Sequence, residues 1–70
     1  MNFGKKVHVM RVLRGLKQSE LGSMAALRQD QISDIELGKR IPTIVEAVSL
    51  RRALAWEDDA DAALAALAEV

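Results

Sequence analysis

Gln29, Asp30, Ser33 and Asp34 are spaced so that one side of a helix would carry all four polar side chains. Their chemistry is recognition by hydrogen bonding rather than bond making. A glutamine amide both donates and accepts, a carboxylate only accepts, and a serine hydroxyl does either. Ile32 and Ile35 alternate with them at core spacing, and Glu36 falls on that inward side too. Bond-making chemistry finds little support elsewhere. His8 is the single histidine and reads as a solvated side chain, and there is no cysteine. No nucleophile–base pair, phosphate-cradling glycine loop or metal-ligand spacing is present. The chain is therefore not expected to be an enzyme, nor to hold a metal or cofactor.

Such a polar ridge needs a platform. Leu16-Lys17-Gln18-Ser19-Glu20-Leu21 and then Ile32-Ser33-Asp34-Ile35-Glu36-Leu37-Gly38-Lys39-Arg40-Ile41-Pro42 stand at the separation of a helix-turn-helix unit. In such a unit a short positioning helix supports a second helix that can enter a DNA major groove. A first helix is expected from Phe3 to Arg14, with Phe3, Val7, Met10 and Arg14 on one stripe and Gly15 as its stop. Val9, Val12 and Leu13 give it a second apolar strip, to be covered by the C-terminal helix or another subunit. The second helix is expected over Gln18–Ala25, anchored by Leu21 with Met24 or Ala25 behind it. The third runs over Gln29–Leu37 and ends at Gly38. Pro42 and Thr43 compete to start a fourth, Thr43 forming a capping box with Glu46. Ile44, Ala47, Val48, Leu50, Arg51 and Leu54 keep its period. Glu57-Asp58-Asp59 marks a last helix start, whose apolar face is Ala60, Ala63, Leu64, Leu67 and Val70.

Seventy residues form a single domain, 1–70, with a core motif over 3–55 and a C-terminal helix over 57–70. Half the residues are apolar, yet only Phe3 and Trp56 are aromatic, so aliphatic side chains must build the core. Trp56 reads as core or as a dimer contact. Helix formers dominate and no strand pattern occurs, which gives an all-α chain. The zero net charge hides an asymmetry. Residues 1–40 hold eight Lys/Arg against four Asp/Glu, and residues 41–70 hold two against six. A basic front half and an acidic rear half suit a DNA-facing surface with a partner-facing back. Without cysteine, a membrane-length apolar run or a signal peptide, the expected location is cytoplasmic.

From Phe3 to Leu54 the chain resembles the Xre/Cro/phage-repressor helix-turn-helix family. The matching pieces are Phe3-Gly4-Lys5-Lys6-Val7, Met10-Arg11, Gly15 to Leu21, Ile32-Ser33, Ile35 to Arg40 and Pro42-Thr43. The resemblance implies a compact five-helix bundle of the lambda-repressor-like type, with the helix-turn-helix at helices 2 and 3. It also implies a dimeric, sequence-specific transcription regulator on a two-fold symmetric operator. The alternative on the same fold is a protein-interaction module such as an antitoxin or anti-regulator.

The resemblance makes Gln29, Asp30, Ser33 and Asp34 the base-reading positions. Gln29 suits adenine N6 and N7, and the two aspartates suit a cytosine amino group. Asp30 can instead complement the helix dipole, and Asp34 can instead form a surface ion pair. The resemblance assigns Gln18 a DNA-backbone contact. Arg28, Gln31, Lys39 and Arg40 flank the ridge as further phosphate contacts. Lys5, Lys6 and Lys17 are weaker candidates, and surface solubility suffices for the first two. The resemblance further implies a buried structural ion pair between Arg11 and Glu36. Trp56, Leu64, Leu67 and Val70 form the expected homodimer interface. Three positions depart from the family pattern: Gly22 replaces Ala, Ala26 replaces the turn Gly, and Arg28 replaces a Ser/Thr cap. They predict a reshaped turn or partly fused helices.

Overall fold

Each helix begins where the sequence offers an acceptor for free backbone N–H groups and ends where the chain turns left-handed. In the computed structural model, which describes residues 2–56, these signals bound α1 (Phe3–Leu13), α2 (Gln18–Ala25), α3 (Gln29–Glu36) and α4 (Ile44–Ala53). The described residues are all-α, with four helices. The expected fifth helix falls on 57–70, outside the described residues, as do Leu64, Leu67 and Val70.

At the starts, Asn2 Oδ1 accepts from the Lys5 amide at 2.8 Å and caps α1. Thr43, rather than Pro42, caps α4 in a full box. Its Oγ1 accepts from the Glu46 amide at 3.1 Å, and Glu46 Oε1 accepts from the Thr43 amide at 2.9 Å. The caps of α2 and α3 are Lys17 and Arg28, whose side chains have no acceptor. Only the reciprocal half of each box forms: Glu20 accepts from the Lys17 amide at 2.8 Å, and Gln31 from the Arg28 amide at 2.9 Å.

Gly15 and Gly38 carry positive φ at the ends of α1 and α3. After α3, Gly38 N–H reaches Ile35 O and Lys39 N–H reaches Asp34 O, the paired bonds of a Schellman motif. Ala26 and Ala55 end α2 and α4 with φ of 58° and 49°. An alanine there holds its Cβ against the following carbonyl, a strain of about 1–2 kcal/mol.

α2 and α3 are not fused, and a turn separates them. Ala26 takes the left-handed conformation itself, and Leu27 N–H closes onto Gly22 O at 2.8 Å. Gly22 explains how: a Cβ there would stand 2.6 Å from the Leu27 carbonyl oxygen. Two of the three departures noted above, Gly22 and Ala26, thus meet in one turn, where the chain folds back against a residue without a Cβ.

Val7, Met10, Leu21, Ala25, Ile32, Ile35, Leu50, Leu54 and Trp56 form one core cluster. α2 packs on both α3 and α4, and α1 packs on α3. α1 approaches so closely that a Cβ on Gly4 would overlap the Ile35 carbonyl oxygen. Behind Leu21 it is Ala25 that is buried, while Met24 is exposed. Trp56 belongs to the core, stacked on Phe3 with ring centroids 5.3 Å apart. The second strip of α1 divides: Val9 packs against the core, and Val12 and Leu13 stay exposed among the described residues. In α4 only Leu50 and the capping Leu54 are fully buried, and Ile44 and Val48 are exposed.

Candidate nucleic-acid interface

Ile32 and Ile35 are essentially fully buried and fix the roll of α3. That roll leaves Gln29 and Asp30 exposed in the first turn and Ser33 and Asp34 half-buried one turn on. The sequence-predicted ridge therefore exists as a surface, open at its N-terminal end and lower at its C-terminal end. Gln29 and Asp34 have no side-chain hydrogen bond among the described residues, so their polar atoms are available. Asp30 is engaged: Arg28 Nε donates to its Oδ1 at 3.2 Å. Both partners are well exposed, so the pair is worth under about 1 kcal/mol and opens readily.

Beside the ridge, Gln18 begins α2 and is half-buried. Its Nε2 donates to Glu36 Oε1 at 3.3 Å, which leaves a second amide hydrogen and the amide oxygen for another partner. Glu36 is the hub of this side of the molecule. Arg11 Nε donates to its Oε2 at 2.6 Å and Arg11 Nη2 to its Oε1 at 3.0 Å, a two-pronged pair joining α1 to α3. The Glu36 side chain is only 4% exposed and that of Arg11 only 12%. Arg11 Nη1 also donates to the Leu16 carbonyl at 2.8 Å, tying in the loop before α2.

Burial pushes the Glu36 carboxyl up. The hydrogen bonds from Arg11, His8 and Gln18, with the charge of Arg11, outweigh it and hold the pKa below the ordinary carboxylate range. The same hydrogen bond, working against desolvation, raises the Arg11 guanidinium further.

His8 is exposed, in keeping with a solvated side chain, and it also joins this hub: its Nδ1 lies 2.8 Å from Glu36 Oε1. The separation of His8 from Arg11, three residues along α1, places both on one face.

Arg40 is also engaged within the protein. Its Nη2 donates to Glu46 Oε2 at 2.6 Å, which braces the loop into α4. The bond from Thr43, working against desolvation and joined by Arg40, keeps the Glu46 carboxyl below its ordinary value. Gln31 spends its carbonyl oxygen on the α3 cap. Lys17 and Lys39 are exposed, and neither is in an ion pair among the described residues. No cluster of His, Asp and Glu among the described residues could hold a metal ion. No helix there is long and apolar enough to cross a membrane.

The arrangement is a short helix held by its neighbours with a polar edge outward, a second helix N-terminus beside it, and cations around both. Comparison with curated proteins and with solved structures returned no match. Comparison with protein families did: the helix-turn-helix family matches residues 8–55, from the second turn of α1 to the end of α4. With that match over well more than half its length, the chain belongs to the helix-turn-helix family, in the form typical of Xre/Cro/phage-repressor proteins.

Proposed function

We propose that the chain is a transcription regulator that binds DNA sequence-specifically, as a symmetric dimer on a two-fold operator. The observation that carries this is the outward edge of α3, Gln29 to Asp34, held by buried Ile32 and Ile35 beside the start of α2. Gln29 reads adenine through its free amide. Asp34, and Asp30 once released from Arg28, accept from cytosine amino groups, and Ser33 serves either edge. Gln18, Arg28, Gln31 and Lys39 contact phosphates and set the register. Two copies place their α3 helices in successive major grooves roughly 34 Å apart. Leu64, Leu67 and Val70 are the apolar residues proposed to join the copies.

The test is selection from a random duplex pool followed by gel shift. A two-fold symmetric consensus, bound with salt-dependent affinity, is expected. Absence of any shift at low salt overturns the proposal. The second reading, a protein-interaction module, has its own support. Leu37, Ile41, Ile44 and Val45 are all more than half exposed around the end of α3 and the start of α4. That much aliphatic surface suits a protein partner.

A further inference from the structure

We infer that His8 is a phosphate-binding residue of this face and that it makes DNA binding proton-dependent; the inference rests on the DNA-binding reading above. The argument starts from one oxygen. Glu36 Oε1 accepts from Gln18 Nε2 at 3.3 Å and lies 2.8 Å from His8 Nδ1, so α1 and α2 bring the two side chains to a common anchor. A carboxylate can only accept, which makes His8 Nδ1 the donor. Arg11 Nη2, 3.3 Å from the same nitrogen, is then a neighbouring donor rather than a partner.

The ring is thereby oriented, and its other nitrogen is left over. Nε2 has no hydrogen bond among the described residues, and the side chain is 49% exposed. His8 lines a shallow groove with Lys5, Gln18, Ser33, Glu36 and Leu37. The groove therefore joins α1 to the phosphate-contacting end of α2 and to the ridge of α3.

The protonation state of Nε2 decides what it offers a phosphate. Neutral histidine, with Nδ1 carrying the hydrogen, presents a lone pair at Nε2 and repels an oxyanion. Protonated histidine presents an N–H and a positive charge, and the hydrogen bond becomes charge-assisted. The charged groups facing His8 are Glu36 from α3 and Lys5 and Arg11 from α1, while α2 contributes uncharged Gln18. Glu36 is matched by Arg11, so a proton on His8 adds one net positive charge at the groove.

The measurement is affinity for a labelled mixed-sequence duplex, across salt, at about pH 8 and at about pH 5.5. Wild-type affinity should rise roughly five- to tenfold, and the salt slope should steepen by about one at the acidic end. His8→Ala should bind weakly with no such rise. His8→Lys, permanently charged, should bind tightly with a steep slope at both ends. That is a result a merely structural histidine would not give, and it carries the test if His8→Ala fails to fold. A His8→Ala protein that keeps the wild-type pH dependence overturns the inference, as does tight wild-type binding that ignores pH. If the wild type binds no duplex at any pH, the DNA-binding reading itself has failed and this inference falls with it.

Discussion

At the scale of single residues, the Arg11–Glu36 pair has the most at stake. Removing one partner strands a buried charge, so Arg11→Ala or Glu36→Ala should cost about 3–5 kcal/mol in denaturant unfolding. The pair should also contribute to the acid limb of stability. The Glu36 carboxyl is held below the ordinary carboxylate range in the folded state because its hydrogen bonds favour the anion. Its contribution is therefore present above the ordinary carboxylate range and is lost as pH falls through the lower, folded-state value. Glu36→Gln should be less stable than wild type at neutral pH, and the gap should narrow on acidification. A gap independent of pH would show that the carboxylate charge is not what holds α1 to α3. From sequence, only family resemblance pointed to this pair. The 25-residue separation of its members carries no local signal, and the bond from His8 to Glu36 has none either, because one histidine without a second ligand reads simply as a solvated side chain.

Among the elements, the turn between α2 and α3 is where local preference and tertiary demand conflict. Ala26→Gly removes the left-handed strain but loosens the unfolded chain, so a net gain of about 0.5–1 kcal/mol is expected in urea unfolding. Gly22→Ala should instead destabilise by about 1–3 kcal/mol, because the new Cβ meets the Leu27 carbonyl. If both substitutions are neutral, the turn is softer than its geometry implies. Thr43→Ala removes the side-chain half of the α4 box and should cost about 1 kcal/mol. Helix bounds were legible because caps and glycines are local: Gly15, Gly38 and the Thr43–Glu46 box mark their ends within a residue or so. The turn was harder to read. Gly22 and Ala26 each look wrong alone, and only their contact through Leu27 shows why the pair works. Which aliphatic residues of α4 stay exposed was equally hidden, since periodicity gives a stripe but not the neighbour that covers it.

For the molecule as a whole, phosphate and base contacts should separate cleanly. Lys39→Ala should weaken binding to all duplexes alike and flatten the salt slope by about one, whereas Gln29→Ala should relax preference at one base position. A Lys39→Ala protein with altered base preference but an unchanged slope would reverse those assignments. The excess of basic residues in the first half of the chain is legible in the sequence, but the pairing of Arg40 with Glu46 and of Arg28 with Asp30 is not, because ion pairing depends on loop shape. The Phe3–Trp56 stack has one more use. It joins the first turn of α1 to the turn that follows α4, and Trp56 is the only indole in the chain. Its fluorescence is thus a built-in gauge of whether the start of α1 and the turn that follows α4 are still together. The emission should move to longer wavelength in a single step, at the same denaturant concentration at which helical circular dichroism disappears.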